Sequence, residues 1–159
     1  MTDIQPEMTK KRLIDGLDGF RSLVGKTLFT SPPIEITKEK IQAYCKSVGN
    51  REWVHWDEAA SRKSGLEGLI APGLFIPSLY PQLFWDHIEL KNVPGIIVKG
   101  IDKIRILRPI YMGTCLTLSS RITKCEDRNK GIEVHYEVTF DEMNSDERLG
   151  QAVFIGRYW

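Results

Sequence analysis

The sequence predicts an α+β domain in which an antiparallel sheet wraps a buried helix. Three observations lead there. The apolar period changes about halfway along the 159 residues, from helical spacing to strict alternation. A long segment, Leu74 to Trp85, is apolar nearly all round, so as a helix it must be covered. The later strands each carry one apolar face, which a helix can cover in turn.

The elements follow in order. Leu13, Leu17, Phe20 and Val24 recur at spacings of three and four, which predicts an amphipathic helix over 6–24, although Gly16 and Gly19 weaken it. Ser31-Pro32-Pro33 breaks that pattern, and Ile34-Glu35-Ile36 is short and extended. Thr37 is an N-cap for a helix over 38–48, with Ile41, Tyr44, Cys45 and Val48 as its buried stripe. Gly49 suits the left-handed stop. Asp57 caps a short helix through Ser61. Pro77 and Pro81 predict a kink or early break in the long apolar helix, with Phe75, Tyr80, Phe84 and Trp85 as core and pocket wall. His87 falls near its C-terminus.

From Ile96 onward the pattern is β. Ile104 and Ile106 alternate with Lys103 and Arg105, and Pro109 to Gly113 turns the chain. Leu116, Leu118, Ser120 and Ile122 form the next strand, and 127–131 is a hairpin loop. Ile132, Val134, Tyr136, Val138 and Phe140 alternate cleanly with polar neighbours. Residues 144–150 turn the chain into a last strand over 152–158. Short connections predict a meander of antiparallel hairpins.

Composition excludes several classes. The net charge is +1, with both signs interspersed, so no basic stripe marks a nucleic-acid binder. The three cysteines, Cys45, Cys115 and Cys125, are widely spaced, which argues against a disulfide framework or zinc site and suits a reducing cytoplasm. No apolar run approaches the roughly 18 residues of a membrane span. A soluble cytoplasmic protein is expected, with one domain over 1–159 and residues 1–30 as a helical extension. No metal or cofactor is expected.

Gly49-Asn50-Arg51-Glu52-Trp53-Val54-His55-Trp56-Asp57 carries the most chemistry. Tryptophans on both sides of a histidine can shield the imidazole and hold it in place. Such a ring can act as acid or base near neutral pH. The same residues also fit a packed histidine bonded to a nearby carbonyl.

This segment resembles the signature of the MaoC-like (R)-specific enoyl-CoA hydratases and dehydratases, roughly G-D-x-N-P-[IV]-H-x-D. Gly49, Val54, His55, Asp57 and Ala60 match it, and Trp53 in place of proline resembles the NodN-type branch. Ile70-Ala71-Pro72-Gly73-Leu74 resembles I-A-H-G-[MF], which opens the central helix of the hotdog fold. Gly100-Ile101-Asp102-Lys103-Ile104-Arg105, with Pro109 and Gly113, resembles the branch's G-L-[DN]-K-V-R strand. The three matches span about residues 35–115.

The resemblance implies a hotdog fold and hydration of an enoyl thioester, or the reverse dehydration of a 3-hydroxyacyl thioester. The substrate carrier would be CoA or an acyl carrier, and the assembly a homodimer with paired sheet edges. His55 would be acid and base, Asn50 would position water, and the Gly73 N–H would polarise the thioester carbonyl. Trp53, Trp56, Glu52, Ala71, Pro72 and Leu74 would line the substrate site. Two positions depart from the pattern. Asn50 replaces the catalytic aspartate, and an amide cannot accept a proton at neutral pH. Pro72 replaces a histidine. Glu52 and Asp57 are nearby carboxylates that can compensate, Glu52 the better placed, although a solvated surface charge also explains it. Two other functions stay open. One is thioester hydrolysis, disfavoured because the central helix has no carboxylate before Asp86. The other is acyl binding without catalysis, which Asn50 and Pro72 favour.

Overall fold

The computed structural model describes residues 10–143 and 145–159. In chain order its elements are β1 (Arg12–Asp15), α1 (Gly16–Ser22), β2 (Thr27–Thr30), β3 (Ile34–Glu35) and α2 (Lys38–Val48). A single 3₁₀ turn (Trp53–His55) follows, then α3 (Glu58–Lys63), α4 (Phe75–Ser78) and α5 (Tyr80–His87). The rest is strand: β4 (Ile88–Lys91), β5 (Ile96–Ile106), β6 (Cys115–Arg128), β7 (Gly131–Glu142) and β8 (Arg148–Tyr158).

The main sheet runs β2-β6-β7-β8-β5, antiparallel throughout, with β3 also paired to β6. Alternation decides which face each residue takes. Leu116, Leu118 and Ile122 of β6, Ile132, Val134, Tyr136, Val138 and Phe140 of β7, and Phe154 and Tyr158 of β8 are buried on one face. That face wraps α4 and α5. Tyr80 of α5 lies 4.4 Å from Phe154 and 6.1 Å from Tyr136, ring centre to ring centre, and Phe84 lies 5.9 Å from Tyr136. The Tyr80 hydroxyl is satisfied by Ser120 Oγ at 2.9 Å, as a buried phenol requires. The expected hotdog architecture is the one observed.

Local signals set most boundaries. The Thr37 side chain accepts the Lys40 N–H at 3.3 Å, and Gly49 stops α2 at φ 71°. Asp57 Oδ1 accepts the Ala60 N–H at 2.9 Å. The long apolar helix is broken at Leu79, where Pro81 lacks the N–H that would reach the Pro77 carbonyl. Its wall is less closed than expected. Leu74 and Trp85 are half exposed, while Phe75, Tyr80 and Phe84 are buried.

Four expectations need correction. The segment expected to be helical over 6–24 is a strand, a two-turn helix and a loop, and its part before residue 10 lies outside the described residues. Gly16 sits at φ 62°, which turns the chain out of β1 into α1, and β1 pairs parallel with β4. The expected helical extension over 1–30 therefore ends instead in β2, inside the main sheet. The meander is also only partial. β6, β7 and β8 pair in sequence, but β5 joins β8 at the far edge rather than β6, because long-range pairing is not written in local alternation. The hairpin loop shrinks to Asn129-Lys130, since Arg128 pairs with Gly131.

The N-terminal segment contributes to the core. Phe20 is fully buried, with its ring centre 4.3 Å from that of Tyr158. Truncating a buried Phe costs about 3–5 kcal/mol. Phe20→Ala is expected to lose that much in urea unfolding. A loss under about 1 kcal/mol would make the segment an appendage.

Candidate functional site

The site begins at the end of α2. The Asn50 N–H reaches back to the Cys45 carbonyl at 2.9 Å, and the turn at Gly49 throws the chain out of the helix. Asn50 Oδ1 then accepts the Glu52 N–H at 2.9 Å, a local turn typical of this residue type. The Asn50 carbonyl accepts Trp56 Nε1–H at 3.1 Å. These bonds close the loop on itself before the 3₁₀ turn, which carries His55 inward.

His55 is 4 % exposed. Its Nδ1 lies 2.8 Å from the Ile70 carbonyl oxygen, so Nδ1–H donates and Nε2 is left on the other side of the ring. The Ile70 N–H returns to the Val54 carbonyl at 3.2 Å. Ile70 in turn bridges to Tyr111, and the Ala71 N–H donates to the Ile110 carbonyl at 2.8 Å. The histidine loop is thus stitched to the segment that opens the central helix, and that segment to the loop after β5.

Next to this junction lies an open cleft of about 480 Å³, lined by Tyr44, Asn50, Glu52, His55, Gly73 and Leu74, with Val48, Val54 and Ile70–Pro72 completing the wall. Of the expected site residues, seven meet here: His55, Asn50, Gly73, Glu52, Ala71, Pro72 and Leu74. Trp53 and Trp56 do not. Trp53 is half exposed, and Trp56 packs against the core while its indole N–H holds the Asn50 carbonyl. Trp56 braces the loop through that bond. Tyr44 and Val48 are cleft residues that the sequence reading placed only in the buried stripe of α2. Their i, i+4 spacing was the signal, because it puts both on one helix face.

Glu52 gains most from the structure. Its side chain is 74 % exposed, yet Oε2 lies 3.3 Å from His55 Nε2. The 3₁₀ turn brings the two together at i and i+3. Burial first, and the Glu52 charge second, push the Cys45 thiol up, so it stays protonated near neutral pH. Asp57 is spent on capping α3, and Asp86 is not among the cleft residues. Among the described residues, the Gly73 N–H has no backbone partner outside the regular elements.

A second titratable cluster, Glu126, Glu133 and His135, sits on the outer face of the sheet. Lys99, Lys124 and Arg128 pair its carboxylates. The Lys99 ammonium holds the buried Glu133 carboxyl below the usual range, against desolvation, with help from His135. With cations already in place, the cluster is an ion-pair network bracing β5 against β7.

Residues 22–151 match the model of the FAS1-like dehydratase domain region. The chain is 23% identical over 148 residues to 3-hydroxyacyl-thioester dehydratase Z of Mycobacterium tuberculosis, covering 92% of this chain and 98% of the relative. It is 26% identical over 122 residues to the mitochondrial 3-hydroxyacyl-[acyl-carrier-protein] dehydratase of Arabidopsis thaliana, covering 73% and 70%. Among solved structures, an Archaeoglobus monoamine oxidase regulatory protein superposes with a TM-score of 0.78 at 18% identity, covering 94% and 97%. The ChsH1-ChsH2 complex of Mycobacterium tuberculosis gives 0.69 at 17%, covering 87% and 99%. These likenesses between structures establish the hotdog fold, and the family model spans most of the sheet and the whole cleft. The chain belongs to the FAS1-like dehydratase region family.

Proposed function

We propose that this chain is an acyl-thioester dehydratase, interconverting a trans-2-enoyl thioester and a 3-hydroxyacyl thioester. One observation carries the reading: His55, locked by its Nδ1–H on the Ile70 carbonyl, shares a cleft with the Gly73 amide. A ring held in one tautomer can pass a proton through Nε2. A backbone N–H at the opening of a buried helix can polarise a thioester carbonyl as its oxygen gains charge. The Asn50 amide can orient water, and Leu74, Ala71, Pro72 and Tyr44 give the acyl chain an apolar wall. Trp56 acts at one remove, by fixing the loop. The names of the relatives, a 3-hydroxyacyl-thioester dehydratase and a 3-hydroxyacyl-[acyl-carrier-protein] dehydratase, support CoA or an acyl carrier as the thioester handle, which stays attached while water is added or lost.

In this reading the chain is one domain in the NodN-type branch and works in the cytoplasm. No helix among the described residues is long and apolar enough to cross a membrane. Its partner is a second copy. Among the described residues β5 ends the sheet order with one side unpaired, and Ile96, Ile97, Val98 and Ile101 are exposed along it. An apolar edge of this kind invites pairing. A twofold dimer would cover it, and the structural relatives include a two-chain complex. Sedimentation at micromolar concentration is expected to give the mass of a dimer, and a stable monomer would remove this part of the reading.

A second reading is acyl binding without turnover, favoured by Asn50 and Pro72 at two positions where the family pattern has an aspartate and a histidine. One assay separates the two. The dehydratase reading expects loss of the enoyl absorbance when crotonyl- or longer enoyl-CoA meets the protein. His55→Ala is expected to slow that loss by about 100-fold or more. Binding of enoyl-CoA with no turnover, unchanged by His55→Ala, would establish the second reading instead.

A further inference from the structure

We infer that Glu52 is the general base of this site, replacing the carboxylate that Asn50 does not supply. The inference rests on the dehydratase reading. Three features of the cleft lead to it. Asn50 lines the cleft but carries an amide, whose oxygen is taken by the Glu52 N–H. Glu52 lines the same cleft, and its Oε2 lies 3.3 Å from His55 Nε2. Asp57, the other nearby carboxylate, is committed to the α3 cap. The Asn50 turn fixes the backbone from which Glu52 starts, and one methylene more than aspartate gives the reach from a position two residues further on. The carboxylate then comes from position 52 in place of 50, and it still meets the same imidazole.

The chemistry balances with these two groups alone. In hydration the Glu52 carboxylate takes a proton from water as the water oxygen forms its bond to C3. The C2–C3 π pair moves toward the thioester, whose carbonyl oxygen becomes an enolate held by the Gly73 N–H. The imidazolium Nε2–H of His55 then protonates C2. Glu52 now carries the extra proton and His55 lacks one, and transfer across the 3.3 Å contact restores both. Dehydration runs the same steps backward, with Glu52 as the acid that releases water.

The test uses the full chain with enoyl-CoA. Glu52→Gln keeps the side chain's size and is expected to lower kcat about 100-fold or more with KM little changed. Adding Asn50→Asp to Glu52→Gln returns a carboxylate to the loop and is expected to recover about tenfold or more, which a purely structural role for Glu52 would not do. A Glu52→Gln protein as fast as the wild type would overturn the inference and leave the dehydratase reading standing. So would an inactive wild type that Asn50→Asp makes active. If neither the wild type nor Asn50→Asp turns over, both ideas fall.

Discussion

One hydrogen bond organises this molecule's chemistry: the His55 Nδ1–H to the Ile70 carbonyl, at 2.8 Å. It ties a loop that follows α2 to the strand-like segment that precedes α4, and so joins two parts of the chain 15 residues apart in sequence. A hydrogen bond of this kind contributes about 0.5–1.5 kcal/mol net, but a buried polar group left without a partner costs about 1–3 kcal/mol. The asymmetry means that the ring orientation is enforced by what the alternative would leave unpaired. A flipped ring would turn Cδ2 toward the Ile70 carbonyl and Cε1 toward Glu52, and both contacts would be lost.

The rest of the fold serves that junction. The sheet's apolar face buries α5 through Tyr80 and Phe84, which anchors the helix along its length. The start of the same helical run is fixed separately, by Ile70 and Ala71 against Ile110 and Tyr111. Gly73 and Leu74 are left exposed between these two attachments, at the mouth of the cleft. Rigidity behind and access in front are what a group meant to meet a developing negative charge requires. The loop carrying Glu52 is braced in the same manner, from Cys45 on one side and from Trp56 on the other.

Much of this was legible in the residues, and the failures are instructive. The alternation in β7, the Thr37 and Gly49 limits of α2 and the Pro77–Pro81 break are local signals, and the structure follows each. The expected helix over 6–24 failed because Gly16 adopts a left-handed turn and tertiary pairing with β4 outweighs a weak local period. The place of β5 beside β8 is a long-range choice that no window of sequence contains. At the site, the motif spacing located His55, Gly73 and Asn50 around one cleft. It also put Trp53 and Trp56 at the cleft, whose lining includes neither. The 3₁₀ turn is why Glu52 reaches the imidazole, a contact the sequence offered only as two residues three apart.

The central claim is the orientation of one ring, and nitrogen-15 NMR of the histidines reads it directly. In the neutral form His55 is expected to carry its proton on Nδ1, with the coupling pattern of that tautomer and a proton protected from exchange by the Ile70 carbonyl. A neutral His55 protonated on Nε2, or one exchanging freely between tautomers, would contradict the account.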